Sequence, residues 1–169
     1  MKKVLFGLFA LGLTTQLFAQ IIKPEELSEV IVMAKNYKYL NDVNSQEVVS
    51  VPVELLERKV ASYNVKDSEF YQDDYGTYNI TFYIPQGKIL AEYNADGKII
   101  KTVERFTDIN LPLPVKNAIL EKFPKWTITK DIYKVSYSEA MGSKKTYKLK
   151  LENGDETIRV KVDEEGNFL

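Results

Sequence analysis

Thr146-Tyr147-Lys148-Leu149-Lys150-Leu151-Glu152-Asn153-Gly154-Asp155-Glu156-Thr157-Ile158-Arg159-Val160-Lys161-Val162 is the stretch whose reading decides the fold. Tyr147, Leu149 and Leu151 alternate with Thr146, Lys148 and Lys150, and Ile158, Val160 and Val162 alternate with Thr157, Arg159 and Lys161. A period of two with a single apolar face predicts antiparallel strands covered on one side and wet on the other. Asn153-Gly154 between them is a favoured hairpin pair. The same parity collects Lys148, Lys150, Arg159 and Lys161 on the wet face, with no acidic residue interleaved. Such cations keep an open sheet solvated and its edges unpaired, or they receive an acidic partner.

Upstream, Tyr78, Ile80, Phe82 and Ile84 alternate with Thr77, Asn79, Thr81 and Tyr83 in the same way. The two regions align at an offset of 69, matching Thr77-Tyr78 to Thr146-Tyr147, Ile80 to Leu149, Ile89 to Ile158 and Gly97 to Gly166. Ile99-Ile100 then matches Phe168-Leu169. Each region follows a helical pattern opened by proline, one at Val51-Pro52 and one at Leu111-Pro112. An aliphatic falls three residues after each proline (Leu55, Val115) and an aromatic eleven after it (Tyr63, Phe123), spacings that suit one helix face. Pro124 ends the second helix and Asn64 closes the first. The prolines lie only 60 apart, so the second copy carries about nine extra residues, expected as a loop over 138–145 around Gly142. Asp96-Gly97 and Glu165-Gly166 mark further turns. Between Trp126 and Tyr137 the apolar parity switches from even to odd positions, which predicts a bulge near Lys130-Asp131.

The run Leu111-Pro112, Val115, Ala118-Ile119, Phe123-Pro124, followed by strands and the turn from Asp163 to Gly166, resembles a PepSY-like domain. The resemblance extends over 93–169 and, through the repeat, more weakly over 51–91. It implies an exported bacterial protein similar in fold to the secreted beta-lactamase inhibitor proteins. The implied fold is α+β, with tandem helix-plus-antiparallel-sheet repeats forming a curved sheet and helices on one face. The related inhibitors grip a protein partner with such a sheet. The shared residues are core and turn positions, which carry fold rather than function, and no catalytic residue comes with them.

The beginning of the chain reads as a secretory signal over 1–19. Lys2 and Lys3 precede the apolar run Val4 to Leu13, and Leu17-Phe18-Ala19 ends in a small residue before Gln20. The expected organisation is therefore a signal peptide at 1–19, an N-terminal strand and loop at 20–50, a first repeat at 51–106 and a second at 107–169. The strand rests on the β-branched run Val30-Ile31-Val32 within 27–40. A helix started by Pro24-Glu25-Glu26 and using Leu27, Val30, Ile31 and Ala34 is the alternative. Residues 41–50 read as a polar loop.

Lys2 and Lys3 account for two of the 23 basic residues, so the chain beyond Ala19 carries 21 against 24 acidic ones. That near balance gives no global attraction to nucleic acid or anionic lipid. There is no histidine and no cysteine, which closes off Ser-His-Asp and Cys-His catalysis, histidine-ligated zinc and disulfides. Neither a GxxxxGK[ST] loop nor a GxGxxG turn occurs. Asp67, Glu69, Asp73 and Asp74, among Phe70, Tyr71 and Tyr75, lack calcium-loop spacing and read as a solvated hairpin. Asn94 to Gly97 and Asp163 to Gly166 look like calcium-loop fragments that turn chemistry alone explains. Of the eleven tyrosines, Tyr78, Tyr133, Tyr137 and Tyr147 suit half-buried strand pairs, and Tyr133 and Tyr137 are also candidates for a recognition surface.

The expected function is non-enzymatic, with no cofactor and no metal. The chain reads as an exported module that recognises a protein or peptide of the cell envelope through its sheet, with Lys148, Lys150, Arg159, Lys161, Tyr133 and Tyr137 as the contact residues. A small-ligand or metal-binding envelope protein is the alternative, favoured by an apolar pocket with converging polar groups. An enzyme using carboxylates or lysine ranks last and would be favoured by a buried carboxylate pair with separated pKa values.

Overall fold

The computed structural model describes residues 28–44 and 51–169. The expected signal peptide lies outside the described residues. The elements are α1 (Ser28–Lys35), α2 (Tyr37–Val43), α3 (Val51–Ser62), a 3-10 turn (Val65–Asp67), β1 (Thr77–Ile84), β2 (Gly87–Asn94), β3 (Ile99–Phe106), α4 (Leu113–Lys122), β4 (Thr127–Ser138), β5 (Gly142–Asn153) and β6 (Glu156–Val162). The six strands form one antiparallel sheet in strict chain order, β1-β2-β3-β4-β5-β6. The class is therefore α+β. Among the described residues no helix is long and apolar enough to cross a membrane.

One sheet face is covered throughout. Tyr78 and Phe82, Ile89 and Tyr93, Ile99 and Phe106, Tyr133 and Val135, Tyr147 and Leu149, and finally Val162 all point into a single apolar core. The helices close that core with Tyr39 and Val43 of α2, Val53, Leu56 and Val60 of α3, and Val115 and Ile119 of α4. The alternation in β4 is restored by a bulge between Ile128 and Lys130, one residue before the expected position. Among the described residues no helix packs on the other face, which carries Asn79, Lys88, Lys101, Arg105, Lys148 and Arg159.

Three expectations need correction. The N-terminal strand is a pair of short helices. Val32, Asn36, Tyr39 and Val43 are buried at spacings of four, three and four, which is a helix face. Burial of that face outweighs the strand preference of Val30-Ile31-Val32. The break between α1 and α2 is fixed by Asn36, whose Nδ2 donates to Ala61 O at 3.0 Å and Gly97 O at 3.2 Å, while its Oδ1 accepts from Ile99 N at 2.8 Å. The expected loop over 41–50 begins as helix, since α2 runs to Val43, and 45–50 lie outside the described residues. The expected loop over 138–145 is mostly strand, because period-two alternation extends both β4 and β5 to twelve residues and leaves only 139–141 as the turn.

The phase of α3 also differs from the reading that matched Leu55 with Val115. Leu55 is 62% exposed and Val115 is fully buried. In α4 the predicted phase holds: Ile119 is 1% exposed, while Lys116 faces outward and donates to Asn110 Oδ1 at 3.0 Å. Ile119→Ala should cost about 2–5 kcal/mol as a core truncation. Lys116→Ala should change stability by less than about 0.5 kcal/mol. Urea melts of the two variants check this, and equal losses would mean the helix phase is misassigned.

The turns follow local chemistry. Asn94 Oδ1 accepts from Asp96 N at 3.0 Å and Lys98 N at 2.9 Å, and Asp163 Oδ1 accepts from Glu165 N at 3.1 Å and Asn167 N at 2.8 Å. The supposed calcium-loop fragments spend these oxygens on their own backbone.

Candidate functional site

The open face gathers cations in rows set by strand register. Lys148 lies directly opposite Lys161, and Lys150 opposite Arg159. On the β4 side Lys130 lies opposite Lys150, and Lys134 lies opposite Arg105, which in turn lies opposite Lys88. The four residues expected to share a wet face do so. A shallow recess of about 430 Å³ opens among Lys134, Lys144, Lys148 and Lys161, with the hydroxyls of Ser136 and Thr146 at its walls. Repulsion from the Lys134 ammonium, followed by that from Lys161, lowers the proton affinity of Lys148. Two acids share this face: Glu92 lies opposite Lys101, and Glu152 Oε1 pairs with Lys150 Nζ at 2.5 Å, so Lys150 is the least available of the four. Towards β1 the face loses its charge at Asn79, Thr81 and Tyr83.

Tyr133 and Tyr137 are not on this face. Once the bulge resets the parity of β4, both point inward and are 0% and 3% exposed. The Tyr133 ring stacks on Tyr147 at 4.8 Å and on Phe106 at 6.2 Å, and the Tyr137 ring meets Tyr39 edge-on at 5.3 Å. They are core residues, held by aromatic packing across strands. On the open face the exposed tyrosine is Tyr83, opposite Lys88 and 70% exposed.

A second polar assembly lies under the helices. Glu57 of α3 and Glu104 of β3 are 5% and 1% exposed, and each carboxyl group influences the proton affinity of the other. Tyr39 of α2 donates to Glu104 Oε1 at 2.9 Å, and Thr102 Oγ1 donates to the same oxygen at 2.8 Å. Lys145 of β5 is also buried, yet its ammonium donates to Asn44 O at 3.2 Å and pairs with Glu164 Oε2 at 2.8 Å. Burial raises the Glu57 carboxyl to about 9, helped by the negative charge of Glu104. Burial likewise raises Glu104 to about 7, partly offset by its hydrogen bonds from Thr102 and Tyr39. Among the described residues neither Glu57 Oε1 nor Glu104 Oε2 accepts a hydrogen bond, and a proton kept on the pair supplies the donor that these oxygens lack. Strand parity announces Glu104, since Thr102, Glu104 and Phe106 share the inward phase of β3. Glu57 is announced only by its spacing from Val53 and Val60.

Glu57 also reaches a groove of about 520 Å³ between the α1–α2 arm and α3. Met33, Ala34, Tyr37 and Leu40 supply its apolar wall, and Asn41, Asn44 and the Glu54–Arg58 ion pair its polar rim. The acidic stretch Asp67 to Asp74 takes no part in either assembly. Among the described residues no cluster of three or more acidic side chains is arranged to hold a metal ion.

No protein family matches the sequence, and no curated protein matches it either. A solved structure of a DUF2874 family protein from Bacteroides ovatus ATCC 8483 overlaps 82% of this chain and 82% of its own, at 14% identity and a TM-score of 0.34. An overlap at that level assigns neither fold family nor function.

Proposed function

We propose that this chain is an exported, non-enzymatic binding module that docks an acidic segment of a protein partner on the open face of its sheet. The observation carrying this reading is the uncompensated cationic field around Lys134, Lys148 and Lys161, strong enough to lower the proton affinity of Lys148. Such a face steers and orients an acidic partner, and its attraction is reduced by salt. The recess among Lys134, Lys144, Lys148 and Lys161 favours a partner lying across β4, β5 and β6 rather than over β1, which contributes no charge. Export follows from the signal-like pattern over 1–19.

The PepSY-like, tandem reading of the architecture belongs to this proposal. Each copy opens on a helix, α3 or α4, and at the offset of 69 β1 and β2 fall on β5 and β6 and the start of β3 falls on Phe168, so β4 has no counterpart in the first copy. Gly97 and Gly166 share a positive φ of 78° and 89°, and Tyr78 and Tyr147 are both buried. Phe168 pairs with Val162 where the first copy places Ile99 against Tyr93. Among the matched pairs Leu55 is exposed where Val115 is buried, and Ile89 is buried where Ile158 is only partly so.

The buried carboxyl pair is the feature that would favour an enzyme. Glu104 is walled in, however, and its Oε1 is occupied by Tyr39 and Thr102. Only Glu57 reaches the groove. One carboxyl can hold a ligand, but hydrolytic acid–base chemistry of the two-carboxylate kind needs both groups at the substrate.

Converting Lys148, Lys150, Arg159 and Lys161 together to Gln tests the docking face. Binding of a poly-glutamate peptide, followed by fluorescence anisotropy, should weaken about tenfold or more at low salt, and the difference should shrink as salt rises. Undiminished affinity at low salt, with circular dichroism unchanged, would retire the docking face and leave these cations as solubilising charges.

A further inference from the structure

We propose that the groove between the α1–α2 arm and α3 is a binding site for a small organic amine with an apolar body, its ammonium seated against Glu57. This site is separate from the docking face. Its volume, about 520 Å³, is within the ordinary range for small-molecule sites. Its composition is that of such sites too: Met33, Ala34, Tyr37 and Leu40 offer an apolar surface, and a few polar groups converge on one end.

Charge selects the ligand class. The groups facing the Glu57–Glu104 pair are Tyr39 from α2, Glu54 and Arg58 from α3, Thr102 from β3, Lys145 from β5 and Glu164 beyond β6. Both nearby cations are already matched, Arg58 by Glu54 at 3.1 Å and Lys145 by Glu164 at 2.8 Å. With both carboxyls ionised the pair is therefore two positive charges short. In the empty groove the proton retained on Glu57 supplies one of them, consistent with the raised proton affinity of both groups. An incoming ammonium replaces it: Glu57 loses its proton to solvent, and the ammonium N–H groups donate to the resulting carboxylate. One cation enters and one proton leaves, so the local charge is unchanged. An alcohol of the same shape brings no charge and leaves the proton in place. A carboxylic acid is repelled.

The test uses 4-phenylbutylamine and its isostere 4-phenylbutanol, titrated calorimetrically into the protein in phosphate and in Tris buffer. The amine should bind at least about tenfold more tightly than the alcohol. It should release up to one proton, read from the difference in heat between buffers, and should bind more tightly at pH 8.5 than at pH 6.5. Glu57→Gln should remove both the preference and the proton release, whereas Lys148→Gln should change neither. Should Glu57→Gln fail to fold, Ala34→Trp decides, because it fills the groove from an exposed position and should abolish amine binding. Equal affinity for amine and alcohol overturns the proposal. So does amine binding that survives Glu57→Gln or Ala34→Trp. Loss of amine binding leaves the docking face standing, and loss of the docking face leaves this site standing.

Discussion

Raising the pH from 5.5 to 9 should destabilise this protein by about 3 kcal/mol or more. The cause is the Glu57–Glu104 pair. Both carboxyls are raised above their ordinary value of 4.5, Glu57 to about 9 and Glu104 to about 7. In the unfolded chain both have lost their protons by pH 5.5, whereas the folded chain retains them. The pair's stabilisation is therefore greatest below about pH 4.5 and is lost as the pH rises through 7 and then 9. Asp163 and Glu152 have lowered values and act in the opposite sense, but both are solvent-facing and fade only at acid pH. Glu104→Gln should flatten the profile: its amide oxygen still accepts from Tyr39 and Thr102, and its NH2 group can donate to Glu57. Denaturant melts at pH 5.5, 7.5 and 9 read the effect. A wild-type stability that climbs over this range would show that the pair is ionised when buried.

Gly87→Ala should be more damaging still, costing about 3 kcal/mol or more. Gly87 opens β2 after the two-residue turn Pro85-Gln86 and pairs with Phe106 across the ladder. A Cβ there would sit 2.0 Å from Arg105 O and 2.8 Å from Phe106 Cα. Both obstacles are backbone, so no rotamer change relieves them, and β2 must move off β3. Gly76→Ala is the control, since nothing lies within 4 Å of the added carbon, and it should stay within about 0.5 kcal/mol of wild type. Thermal melts of the two variants should therefore diverge widely.

The strands were legible because a half-covered antiparallel sheet writes its two faces into alternate residues. That alternation alone placed Lys148, Lys150, Arg159 and Lys161 together. The bulge in β4 was legible for the same reason, as a change of parity. The two N-terminal helices were legible only as the alternative to a strand: Val30-Ile31-Val32 is locally strand-like, and contacts with α3 and the β2–β3 turn, 25 to 63 residues away, make Asn36 a buried joint. Tyr133 and Tyr137 share the odd parity of Val135, which the structure turns inward, and the suitability of tyrosine for interfaces carries no information about which face it occupies. The carboxyl pair was illegible because Glu57 and Glu104 are 47 residues apart, and a lone glutamate in an amphipathic segment looks like a solvated one. Gly87 gave no signal at all, since its need is a close backbone approach rather than an unusual φ.

A sheet whose strands pair only with their neighbours in the chain has a further consequence, for the order in which it assembles. Each hairpin from β1-β2 to β5-β6 closes a loop of a few residues or, between β3 and β4, one containing α4. Such short closures are fast, and the sheet can zip from any of them. The long-range closures belong to the helices instead: Tyr39 must find Glu104, 65 residues on, and the Asn44 carbonyl must find Lys145, 101 residues on. The arm carrying α1 and α2 is thus synthesised first and seated last. Until it arrives, Tyr137, Glu104 and Lys145 stand uncovered, so the closing of this arm should be the slowest step of refolding, read in pulse-labelled hydrogen exchange as late protection of the Ile99 N–H, which donates to Asn36 Oδ1.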